Sequence, residues 1–83
     1  MTDLFVFIGT DCPHCVSMIP LLEKLHCEEH VTYTVYDIWA NETDYRLYEN
    51  ITNNSCDGIP VFYNTHTKVF VYGLDSFLER RIF

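Results

Sequence analysis

The chain reads as an α/β domain in the order β-α-β-α-β-β-α, a four-stranded mixed sheet flanked by helices. Three observations predict it. Leu4–Ile8 is an apolar run with no polar residue, as in a strand covered on both faces. Segments of helical and strand period then alternate, which calls for a right-handed crossover and a parallel first pair. Finally, a short link between the last two strands makes them antiparallel neighbours.

Each element has its own warrant. Gly9 ends the first strand, and residues 10–11 form a loop. Cys12 suits the cap of the first helix and Pro13 its first position, where a missing N–H costs nothing. Val16, Ile19, Leu22 and Leu25 recur at helical spacing, widened by Met18 and Leu21. Pro20 falls inside this helix and is expected to kink it. The helix should end within residues 27–30. Residues 31–38 alternate as a second strand. Residues 41–54 form a second helix, capped by Asn41 or Thr43, with Leu47, Tyr48 and Ile51 on its apolar face. A turn-rich connector ends at Gly58. Residues 59–63 are a third strand, 64–67 a hairpin loop and 68–72 a fourth strand. Gly73 ends the hairpin. A last helix starts at Leu74 or Asp75 and turns Phe77, Leu78, Ile82 and Phe83 toward the sheet.

Eighty-three residues make a single domain, 1–83. A hydrophobic content of 48% is globular rather than disordered. A net charge of −7 lacks the basic patch that a nucleic-acid partner needs, and favours partners with a positive face. No apolar run approaches a membrane span, and no secretory signal pattern is present. The expectation is a cytoplasmic monomer with neither nucleic acid nor membrane as partner.

Chemistry concentrates in Cys12-Pro13-His14-Cys15. A Cys-x-x-Cys pair is either half of a zinc site or a redox dithiol at a helix start. A third reading is a pair of buried core cysteines at this spacing by chance. Zinc needs four ligands, and Cys27, Cys56 and the histidines supply no second pair at finger spacing. Strand, loop and helix in this order favour the dithiol. At a helix start Cys12 faces free N–H groups and the positive end of the helix dipole, which favour a thiolate. Cys12 then attacks a target disulfide, and Cys15 resolves the mixed disulfide. A charged His14 would strengthen the thiolate, and Asp11 would oppose it.

These residues resemble the thioredoxin-fold family in its short glutaredoxin-like form, over nearly the whole chain. The resemblance rests on Cys12-Pro13-His14-Cys15 after the first strand, Pro20 five residues beyond, Gly58-Ile59-Pro60 opening the third strand, and Gly73 before the terminal helix. It implies a minimal thioredoxin fold with a cis Ile59–Pro60 bond packed against the cysteines. The backbone of Ile59 would then pair with an extended substrate. Cys12, Pro13, His14, Cys15 and Pro60 would form the catalytic set. Thr10, Asp11, Gly58, Ile59, Gly73, Leu74 and Asp75 would bind substrate.

The chain departs from both halves of the family. Glutaredoxins carry a cation just before the first cysteine, where this chain has Gly9-Thr10-Asp11. Their double glycine in the last loop is Gly73-Leu74 here. Thioredoxins carry a tryptophan where Asp11 stands. The resemblance implies a dithiol carrier that reduces protein disulfides, such as one regenerated in ribonucleotide reductase, with no tightly bound cofactor or metal. A flavoprotein disulfide reductase or glutathione would reduce it in turn. Glutathione-linked activity, or a metal or iron–sulfur cluster at Cys12 and Cys15, are the alternatives.

Cys27, at the far end of the first helix, is expected to be a small buried hydrophobe. Cys56 lies four residues before Pro60, where a structural thiol or a mixed-disulfide partner both fit. Trp39 either lines the substrate groove or packs at the domain edge. Glu42, Asp44, Glu49 and Asp57 either steer a basic partner or form a solvated acidic surface. The tyrosines read as amphipathic packing.

Overall fold

A computed structural model describes residues 3–9, 12–13, 17–53 and 58–82. The strands are β1 (Leu4–Ile8), β2 (Tyr33–Asp37), β3 (Val61–Asn64) and β4 (Val69–Tyr72). The helices are α1 (Ile19–Glu29), α2 (Glu42–Thr52) and α3 (Leu74–Arg80). The sheet order is β2-β1-β3-β4. β1 runs parallel to β2 and antiparallel to β3, and β4 returns antiparallel beside β3. This is the mixed α/β sheet the sequence predicts, and it is compatible with a minimal thioredoxin-like arrangement.

The alternation of side chains along β1 divides the core in two. Leu4 and Val6 pack with Phe62 and Val71 of the sheet, Met18 and Leu22, and Phe77 of α3. Phe7 and Val61 face the other way and meet Ile38 and Tyr48 of α2. So α1 and α3 cover one face, and α2 covers the other. This explains why β1 has no polar residue.

Local chemistry sets the element ends. Asn41 caps α2, its side-chain oxygen accepting from the N–H groups of Thr43 and Asp44. Ser17 is helical and Met18 keeps a right-handed helical backbone (φ −91°, ψ −11°), but the helix is interrupted there, two residues before Pro20, and α1 begins at Ile19 with Pro20 in its first turn. In a first turn the missing N–H loses no helical bond. β2 is shorter than residues 31–38: Thr32 is taken up by Asp3, and Ile38 N–H donates to the Ile8 carbonyl at 3.0 Å. β3 begins two residues later than expected and includes Asn64, which pairs with Leu4 and Val69. The hairpin turn therefore shifts by one, to residues 65–68. The Asn64 side-chain oxygen accepts from His66 and Thr67 N–H, and Lys68 takes φ 59°.

Two expected core residues are not in the core. Cys27 is exposed, because it falls about 140° around the helix from buried Leu22. Leu78 is 41% exposed, because Leu74 and Phe77 already supply the inward face of α3. Ile82 packs partly against the core as expected. Val16, Asn54 and Phe83 lie outside the described residues. No helix among the described residues is long and apolar enough to cross a membrane.

At the end of the sheet where β1 begins, Asp3 joins three segments. Its Oδ2 accepts from the Thr32 N–H and hydroxyl, and its Oδ1 pairs with His66 Nε2 at 2.7 Å. Thr65 N–H donates to the Asp3 carbonyl at 3.0 Å. The Thr32 amide foremost, and His66 next, hold the Asp3 carboxyl down to about 2.

Candidate functional site

The opposite end of the sheet carries the chemistry the sequence singles out. β1 stops at Ile8, and Cys12 N–H donates to the Gly9 carbonyl at 3.2 Å. Cys12 is not helical and Pro13 is, as expected for a cap and a first helical residue. Cys12 is 8% exposed, so an incoming sulfur reaches it only by close docking.

β3 enters beside this turn. The Ile59–Pro60 bond is cis. A Cβ on Gly9 would come within 2.7 Å of Ile59 Cδ1 and would overlap the Trp39 ring. Only glycine at position 9 leaves room for both side chains against the turn that carries Cys12. Trp39 is held there from its own backbone. Asp37 Oδ1 accepts from the N–H groups of Trp39 and Ala40, at 3.0 and 3.1 Å. The indole is 57% exposed.

A second glycine and aromatic pair lies on the other side. A Cβ on Gly58 would overlap the Tyr72 ring, so Tyr72 lies directly on the Gly58 backbone. Tyr48, rising from α2, donates its hydroxyl to the Gly58 carbonyl at 2.8 Å. Gly73 N–H donates to the Pro60 carbonyl at 2.8 Å and closes the sheet edge. Gly73 has φ +91°, a conformation that side chains disfavour. All three glycines of the chain are thus at this end of the sheet, each at a close approach or a turn.

An open groove of about 480 Å³ runs along Ile59, Pro60 and Tyr72. Its other wall is Gly73, Leu74, Asp75 and Ser76 at the start of α3, with Ser17 from the cysteine-bearing segment. Among the described residues, neither the N–H nor the C=O of Ile59 has a hydrogen-bond partner. The groove therefore offers main-chain pairing groups at its floor.

The structure brings Ile59, Pro60, Gly73, Leu74 and Asp75 of the expected set to one groove, with Gly58 beneath Tyr72, while Cys12 sits in the turn bonded to Gly9, whose own neighbour is Ile59. Thr10, Asp11, His14, Cys15, Cys56 and Asp57 lie outside the described residues. Pro13 is exposed. Sequence reasoning left Trp39 between two roles and missed Ser17, Tyr72 and Ser76. The glycines were the available signal, since two of them stand beneath aromatic rings. Among the described residues, no three His, Cys, Asp or Glu side chains are grouped to hold a metal ion.

The chain matches no protein-family model, no curated protein and no solved structure. What it does must be argued from this end of the sheet.

Proposed function

We propose that the protein is a thiol–disulfide oxidoreductase that reduces protein disulfides, working in the manner of small thioredoxin-like and glutaredoxin-like carriers. The observation that carries the reading is convergence. Gly9, whose carbonyl accepts from the Cys12 N–H, packs against Ile59, and Ile59 and Pro60 line a groove at which, among the described residues, the Ile59 main chain is unpaired.

The reaction is thiol–disulfide exchange. Cys12 Sγ, as the thiolate, attacks one sulfur of the substrate disulfide. The substrate S–S bond breaks, and its second sulfur leaves as a thiolate and takes a proton from water. Cys15, after losing its proton, attacks Cys12 Sγ and breaks the mixed disulfide. The remaining substrate sulfur leaves and is protonated. Two electrons and two protons pass to the substrate, and Cys12 and Cys15 end joined. A flavoprotein disulfide reductase or two glutathione thiols would restore the dithiol, in a cytoplasmic setting. Ile59 serves by pairing its backbone with the substrate strand, and burial of Cys12 limits side reactions with solvent oxidants.

The test is a trapping experiment. Reduced Cys15→Ser protein, mixed with a peptide disulfide, should accumulate a mixed disulfide at Cys12, seen by mass spectrometry. Cys12→Ser should form none and reduce nothing. Disulfide reduction by Cys12→Ser at the wild-type rate contradicts the proposal.

A further inference from the structure

The groove has a chemical character that goes beyond disulfide exchange as such. Among the described residues, its only charged wall residue is Asp75. All five basic residues of the chain are described, and none lines it. Lys24 is on the exposed side of α1, Lys68 is in the distant hairpin turn, and Arg80 ends α3. Arg81 pairs with Glu29 at the far end, and Arg46 pairs with Glu42 at 2.9 Å. Asp37 and Asp44 stand at the same end of the sheet as Cys12, where Arg46 is already matched by Glu42.

Two exposed rings lie to either side of Ile59: Tyr72, which lines the groove, on Gly58, and Trp39, beside the groove rather than in its lining, on Gly9. An aromatic face beside a carboxylate suits a lysine or arginine side chain. The alkyl stem lies on the ring, the cation is drawn to its π-face, and the head reaches the acid.

We propose that this groove selects an extended, cationic polypeptide segment carrying the disulfide, held between Trp39 and Tyr72, over the anionic tripeptide glutathione disulfide. The inference rests on the oxidoreductase reading and names its substrate class. Glutathione brings two carboxylates per half, and the described lining residues of the groove include no cation to receive them.

The test compares four disulfides as oxidants of the reduced full-length protein. They are two peptides identical but for lysine or glutamate flanking the cystine, glutathione disulfide, and neutral hydroxyethyl disulfide. At low ionic strength the lysine peptide should react at least about tenfold faster than the glutamate peptide, and faster than glutathione disulfide. The ratio should shrink in about 0.5 M salt. Asp75→Asn should lower the lysine-to-glutamate ratio, and Trp39→Ala should slow the lysine peptide. Equal peptide rates, or a faster glutamate peptide or glutathione disulfide, overturn the selectivity. If hydroxyethyl disulfide reacts while the peptides are alike, the selectivity alone falls. If no disulfide oxidises the protein, the oxidoreductase reading falls with it.

Discussion

Phe77→Ala tests how α3 is held, and with it one wall of the groove. α3 has seven residues, too few to be stable by itself. Its position depends on Phe77, which is fully buried and stacks on Phe62 with centroids 4.1 Å apart and planes 18° from parallel. Its neighbours in the cluster come from the sheet and from α1, so the space left by truncation cannot close by moving one element. Burial on this scale puts the loss at about 3–5 kcal/mol. A domain of this size has roughly 4–12 kcal/mol in total. The variant should therefore lose about a quarter or more of its stability, with Tm lower by roughly 12–40 °C. Urea and thermal unfolding followed by far-ultraviolet circular dichroism give both quantities. Phe77→Leu keeps most of the volume and should lose less than about 2 kcal/mol. Leu78→Ala, one residue on but largely exposed, should lose less than about 1 kcal/mol. A Phe77→Ala loss below about 1.5 kcal/mol, or one matched by Leu78→Ala, would refute the packing argument.

Two further predictions concern other parts of the fold. The Asp3 carboxyl is lowered from its ordinary 3.8 to about 2 in the folded protein, so its contribution is fully present above about pH 4 and is lost as pH falls toward 2. Acid unfolding of Asp3→Asn should lack that limb, and an identical acid profile for variant and wild type would count against the Asp3 network. Asn41→Ala removes the α2 cap and should lower stability by about 1 kcal/mol, read by urea denaturation, while Asn41→Ser should recover most of it.

The sequence made the local features legible and left the long-range ones open. The bounds of β1 coincide with the apolar run Leu4–Ile8, because a doubly covered strand has no polar residue to blur its ends. The cap of α2 is legible to within two candidates, Asn41 and Thr43, because that interaction spans only three residues, and the structure selects Asn41. The start of α1 is harder, since Pro20 marks an interruption in the helix, but the residue at which the turn is lost, Met18, carries no helix-breaking signal of its own. Cys27 and Leu78 were misplaced because each is apolar and close to an inward-facing residue, yet faces another way around its helix. At the site, Ile59, Pro60, Gly73, Leu74 and Asp75, which the resemblance singles out one by one from separate segments, line one groove. The contacts of Trp39 with Gly9 and of Tyr72 with Gly58 each join residues distant in the chain, so no local pattern announces them.

The most direct test of the central claim is a redox titration of Cys12 and Cys15 in defined thiol–disulfide buffers, read by mass spectrometry after thiol alkylation. The account predicts a single two-electron couple joining Cys12 to Cys15, with a midpoint of about −200 mV or lower, suited to reducing protein disulfides. A midpoint near about −120 mV would make the protein an oxidant instead. Failure of the two cysteines to join at any poise would contradict the dithiol mechanism itself.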